Sequence, residues 1–125
     1  MGLFDRISMA IQEGKAKAEL EAADFAEKIE RADLPYACNI AAHEFRHASL
    51  PMKSSITRLI RKKITDVDST SQLYYAFEDM YRMSQRKRDL FALNASQWIG
   101  KKLYDMGDNR VETRESDTKT MYIPR

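Results

Sequence analysis

Apolar residues recur at the spacing of an α-helix along most of this chain, and this periodicity limits its fold more than any other feature. Between residues 70 and 105 one stripe stays within about 100° on a helical projection; it comprises Leu73, Phe77, Met80, Tyr81, Phe91, Ala95, Trp98 and Ile99. We expect a helix from about Thr70 to Asp105, about 50 Å long if continuous. Ser84 and Arg88 cross the stripe, which predicts a kink near 85–88, and Gly107 is suited to end the helix.

Three earlier helices follow from the same reasoning. The first is expected over about residues 3–31, and the second over about 35–49, with Pro35 in its first turn. Pro51 is expected to end that segment, and Ser54 or Ser55 to cap a third helix. The expected inward positions of the second helix are Ala37, Cys38, Ala41, Phe45 and Ala48, and those of the third are Ile56, Leu59, Ile60 and Ile64.

The predicted fold class is all-α. The chain has 125 residues but only four glycines and three prolines, which is little material for the turns of an all-β fold. We expect a small helical bundle of three to four helices, one or two of them long, over residues 1–107. The predicted core comprises Phe25, Phe45, Ile60, Phe77 and Trp98. Residues 108–125 are predicted to be a flexible polar tail, whose apolar tip at 121–123 is able to dock elsewhere on the protein.

Cysteine content and hydropathy predict a cytoplasmic protein. Cys38 is the single cysteine, so an internal disulfide is excluded and a reducing compartment is favoured. No segment approaches the roughly 18 consecutive apolar residues of a membrane-spanning helix, and the first residues lack a secretory apolar core.

The N-terminal residues support two interpretations. The opening MGLFDRI resembles the start of the phage-shock membrane-maintenance family, whose first helix lies on bilayers. That resemblance implies an inserted face formed by Leu3, Phe4, Ile7 and Ile11. Small residues continue in phase with this face at every fourth position, namely Gly14, Ala18, Ala22 and Ala26. Such a stripe permits close approach of another helix, so we favour packing against protein, within the monomer or in a second subunit, over membrane association.

The two histidines of the chain lie in one pentad, His43-Glu44-Phe45-Arg46-His47. This H-E-x-x-H spacing is typical of zinc peptidases, in which both imidazoles bind zinc and the glutamate is the general base. The chain has no third histidine, and Arg46 places a charge inside the motif.

A second metal interpretation uses Glu44-x-x-His47 as half of a carboxylate-bridged di-iron site. A standard site needs two such pairs, of which a symmetric dimer could supply the second, and Glu19, Glu21 and Glu27 are further candidate ligands. We therefore expect no metal and no cofactor, and retain His43, Glu44 and His47 as the candidate ligands.

Charge is unevenly distributed along the chain. Residues 1–50 carry a net −3, residues 51–104 a net +6 and residues 105–125 a net −1, which gives the total of +2. The basic residues of the centre form two predicted helix faces, Arg58, Arg61 and Lys62 within 53–63, and Arg82, Arg86, Lys87 and Arg88 within 82–88. Arginine favours bidentate contacts to carboxylate or phosphate.

These observations predict a non-enzymatic helical binding, adaptor or regulator protein. No phosphate-binding glycine loop, dinucleotide-binding motif or nucleophile elbow is present. Small proteins of this kind are common in viruses and mobile elements. We expect a protein partner, self-association or both, with the basic faces carrying the contact. The alternatives are nucleic-acid binding by the same two faces, and metal binding or zinc hydrolysis by the pentad.

Overall fold

The structure, a computed structural model, describes residues 22–125. This part of the chain is mostly helical, as predicted, and ends in a small sheet that the sequence did not predict. Its elements are helix α1, described over 22–31, α2 (Leu34–Phe45), α3 (Leu50–Asp66), α4 (Thr70–Lys87) and α5 (Leu90–Asp105), and strands β1 (Val111–Glu115) and β2 (Thr120–Pro124). The apolar face predicted from the family resemblance, over residues 3–11, lies outside the described residues. So do Gly14 and Ala18, the first two residues of the small-residue stripe.

The junction of α2 and α3 differs from the prediction. α2 ends at Phe45 rather than near residue 49, and α3 begins at Leu50 rather than at Ser54 or Ser55. Ser49 is the N-cap of α3, and its side chain accepts a hydrogen bond from the Met52 N–H. Pro51 therefore lies in a first turn, where its missing N–H leaves no helical hydrogen bond unmade.

The predicted long helix is two helices that fold back on each other. The chain turns at Arg88, whose backbone is left-handed at φ 52° and ψ 39°. Asp89 then caps α5, because its Oδ1 atom accepts from the Ala92 N–H at 3.0 Å. Phe77 of α4 lies against Gly100 of α5, so the two helices are antiparallel. The expectation of a kink at 85–88 located the break correctly, but the apolar stripes of the two halves face each other.

The core is shared by all of the helices. Phe25, Ile60 and Phe77 are buried as predicted, whereas Phe45 and Trp98 are half-buried at the core's edge. Gly100 allows the closest approach, since a Cβ atom there would lie 2.6 Å from Tyr122 Cβ and only slightly further from Phe77.

The prediction of a C-terminal tail without regular structure is wrong. Strands β1 and β2 form an antiparallel hairpin that packs on α5 and α4. The Gln97 side chain accepts from the Tyr122 N–H at 2.7 Å and donates to the Tyr122 carbonyl at 2.9 Å. Arg110 stacks on the Tyr74 ring at 4.3 Å. Tyr122, the middle residue of the apolar tip, is therefore docked on the helices.

A single lysine joins the end of α3 to α5. Lys102 Nζ donates to the carbonyl oxygens of Ile64, Thr65 and Val67 at 2.8, 2.9 and 2.5 Å. Carbonyls in the last turn of a helix find no N–H donor within the helix, and the helix dipole favours a cation at this end. Lys102 thus fixes the orientation of α3 relative to α5.

Candidate functional site

Helix α3 presents a surface of cations. Ile56, Ile60 and Ile64 bury one side of the helix. Arg58, Arg61 and Lys62 lie away from that side, and Lys53 lies at its N-terminal end, over the Phe45 ring. We call the set Lys53, Arg58, Arg61 and Lys62 the basic face of α3. Arg58, Arg61 and Lys62 are exposed and Lys53 is half-buried. Within residues 22–125, none of the four forms an ion pair with a carboxylate.

A groove of about 570 Å³ lies beside this face, and we call it the α3 groove. Its apolar lining comes from Phe45, at the end of α2, and from Leu50, in the first turn of α3. Leu50 is 80% exposed, so a large apolar side chain stands free at the rim. Lys53, Arg58 and Arg61 complete the lining together with two hydroxyl side chains. The groove therefore joins apolar contact area to positive charge.

Aromatic rings hold two of the cations in place. Lys53 Nζ lies 5.2 Å from the Phe45 ring centroid, and the Arg61 guanidinium lies 5.1 Å from that of Trp98. The two rings are linked through Phe91, which stacks on Phe45 at 4.8 Å and meets Trp98 edge-on at 6.3 Å. Cation–π contacts of this kind attract the charged group to the ring face. Phe45 is consequently in contact with both Lys53 and Phe91, and one face of the Trp98 ring is covered by Arg61.

The middle of the pentad has a structural role. Arg46 donates from Nε at 3.1 Å and from Nη2 at 2.8 Å to the Oδ2 atom of Asp89. The other carboxylate oxygen of Asp89 caps α5, so one side chain joins the end of α2 to the start of α5. Together with the stacking of Phe45 on Phe91, this contact positions the floor of the α3 groove.

The metal candidates of the pentad are exposed and do not form a ligand cluster. Because α2 ends at Phe45, His47 lies in the following turn, and the His43 and His47 rings are 6.0 Å apart. In the described part of the chain, no group of three or more His, Cys, Asp or Glu side chains could hold a metal ion. Glu27 pairs with Arg31 in its own helix, while Glu19 and Glu21 lie outside the described residues.

The second basic cluster is separate from the first. α3 packs on α2 and α5, whereas α4 packs on α5 and α2, so the predicted faces do not lie on helices that pack extensively together. Arg82 pairs with Glu78 one turn away. Arg86 and Lys87 are exposed in the last turn of α4, where cations complement the helix dipole, and Arg88 forms the left-handed turn.

Cys38 has no exposed surface in the described structure. Burial, followed by the nearby Asp79 carboxylate, raises the pKa of its thiol to about 12. A protonated thiol is a poor nucleophile, so Cys38 serves as a core side chain.

Comparison with known proteins gives no further identification. No protein-family model matches the chain, and no curated protein or solved structure is detectably similar to it. Among the described residues, no helix is both long enough and apolar enough to cross a bilayer.

Proposed function

We propose that this protein is a non-enzymatic helical binding protein that holds an acidic protein partner on the basic face of α3 and in the α3 groove. The observation that carries the proposal is the set of four cations without a carboxylate partner in the described structure, placed beside exposed apolar surface. We also propose a cytoplasmic location, since the single cysteine is a buried free thiol.

The spacing of the cations supports a role in binding. Arg58 is about one helical turn from both Arg61 and Lys62. Like charges at this spacing cost a helix a few tenths of a kcal/mol per pair. Carboxylates on a partner would relieve that repulsion and pair with the guanidinium groups in bidentate geometry. A binding role therefore explains a concentration of positive charge of which the described fold uses only Lys53 and Arg61, in cation–π contacts.

The groove favours a protein over a nucleic acid. Binding of single-stranded nucleic acid depends on aromatic faces that are free to stack on bases. Here Lys53 covers Phe45, Phe91 stacks on it, and Arg61 covers Trp98. The exposed Leu50 instead offers the kind of apolar anchor found at the centre of protein interfaces, with a charged rim around it.

A charge-reversal experiment tests this proposal. The full chain is used to capture partners from its native cell, with and without nuclease, and is compared with the variant Arg58→Glu/Arg61→Glu. The matched control is Arg86→Glu/Lys87→Glu, which makes the same change in net charge on a different helix.

We expect wild type and the control to retain the same nuclease-resistant protein partner, and the α3 variant to lose it. Binding should weaken with rising salt, because the contact is electrostatic. Nuclease-sensitive capture would favour the nucleic-acid alternative, and equal loss in both variants would show that net charge, rather than the α3 surface, is responsible.

A further inference from the structure

The hydrogen-bond pattern of the C-terminal hairpin defines which backbone groups point away from it. At one end the Arg125 N–H donates to the Arg110 carbonyl at 2.9 Å, and at the other the Ser116 N–H donates to the Lys119 carbonyl at 3.0 Å. In an antiparallel pair, residues that bond across the ladder alternate with residues whose N–H and C=O groups face outward. Along β1, the outward residues are therefore Val111, Thr113 and Glu115.

The outer edge of β2 is closed. Its outward residues include Tyr122, whose N–H and C=O are both bonded to the Gln97 side chain, so the amide takes the place of a neighbouring strand. Pro124 lies at the same edge and has no N–H to offer. A further strand therefore finds few free groups on this side.

As far as residues 22–125 are concerned, the outer edge of β1 is open beyond Val111. The Val111 N–H is directed to the Asp108 carbonyl at 3.4 Å. No described residue bonds to the outward N–H or C=O of Thr113 or of Glu115. Strand edges with free backbone groups are templates for pairing with another chain.

We propose that β1 pairs with β1 of a second copy of this chain, antiparallel and around a two-fold axis at Thr113. In that register each Thr113 N–H donates to the Thr113 carbonyl of the other copy. Each Glu115 N–H donates to a Val111 carbonyl of the other copy. The two hairpins then form one four-stranded sheet through an isologous contact, in which the same surface serves both subunits. This proposal is independent of the α3 surface.

Charge selects this register and this partner. Glu112 and Arg114 are exposed on the solvent side of β1. When the axis passes through Thr113, Glu112 of each copy faces Arg114 of the other, which gives two pairs of opposite charge. Axes through Glu112 or Arg114 would instead place two glutamates or two arginines opposite each other, which is destabilising. The strand is thus complementary to itself in only the central register of the three.

The test is a measurement of the dimer dissociation constant by sedimentation equilibrium of the full chain. We expect wild type to form a concentration-dependent dimer. Glu112→Arg and Arg114→Glu should each weaken the dimer by roughly tenfold or more, because two attractive pairs become repulsive. The double variant Glu112→Arg/Arg114→Glu should restore it, since the pairs are again opposite. Glu27→Arg is the control for Glu112→Arg, because it makes the same net-charge change at an exposed position of α1.

A backbone variant adds an independent readout. Thr113→Pro removes an outward N–H that the hairpin does not use, and we expect the hairpin to form and the dimer to be lost. Circular dichroism and thermal unfolding verify that each variant is folded. A monomer at protein concentrations up to about 1 mM would overturn the proposal. A dimer insensitive to the β1 substitutions, or one that the double variant fails to restore, would overturn it as well.

Discussion

Lys102 provides the sharpest test of how the helices are joined. Its ammonium group donates to three carbonyl oxygens at and just beyond the end of α3, and its side chain is 22% exposed. Lys102→Met retains most of the apolar stem and removes only the charged donor. The substitution therefore isolates the hydrogen bonds from the packing of the side chain.

The expected loss follows from the surroundings of the three carbonyls. Those of Ile64 and Val67 are bonded in part-buried positions, while that of Thr65 is exposed and can bond to water. A buried acceptor left without a donor costs about 1–3 kcal/mol. Counting two such groups at the low end, because both are only partly buried, gives a loss of about 2–3 kcal/mol. For a chain of this size, that corresponds to a fall in Tm of roughly 10 °C.

Urea unfolding followed by circular dichroism measures this loss as a shift of the midpoint at constant slope. The control is Lys101→Met, because Lys101 is exposed and, within residues 22–125, its ion pair is with Asp105 on its own helix. We expect the control to stay close to wild type. If Lys102→Met is no less stable than Lys101→Met, the proposed link between α3 and α5 is wrong.

Three further predictions concern the packing and the charges of the fold. Gly100→Ala should lower the free energy of unfolding by about 1–3 kcal/mol, since the new methyl group would overlap aromatic side chains; unchanged stability in urea would contradict the close approach. Asp89→Asn loses the charge that Arg46 binds but keeps the cap of α5, whereas Asp89→Ala loses both. Asp89→Ala should therefore be less stable than Asp89→Asn by about 1 kcal/mol in thermal unfolding. Arg110 lowers the pKa of Asp108 through a side-chain hydrogen bond, so the pair stabilises the fold above the ordinary pKa of the carboxyl and loses this effect as pH falls through the lowered value. The free energy of unfolding should therefore fall less steeply with decreasing pH in Asp108→Asn than in wild type.

The helices could be predicted from the sequence because their signals are local. The apolar stripe of α3 and the break near Arg88 are both visible in the order of residues. The start of α3 was misplaced because Pro51 ends one helix or begins another with the same residue, and the cap at Ser49 decides between them.

The hairpin could not be predicted because its stabilising contacts are distant in sequence. Gln97 holds Tyr122 through both backbone groups, and Arg110 rests on Tyr74. The strands are only five residues long, and β1 carries the charged residues Glu112 and Arg114 on its outer face, so its sequence resembles that of a mobile tail.

The candidate site was predictable only in part. Arg58, Arg61 and Lys62 are predicted from helical spacing, whereas Leu50 joins the site only because α3 begins there rather than at Ser54 or Ser55. The separation of the second basic cluster depends on α4 folding back along α5, which a continuous helix would not have shown.

Site-specific photo-crosslinking in the native cell tests directly whether an acidic protein contacts the α3 groove. A photoreactive amino acid replaces Ser54, an exposed residue of the groove lining, and in the control replaces Arg86 on α4. We expect a covalent adduct with one acidic protein from position 54, absent from position 86 and abolished by Arg58→Glu/Arg61→Glu. A nucleic-acid adduct, or an adduct formed from position 86 alone, would contradict it.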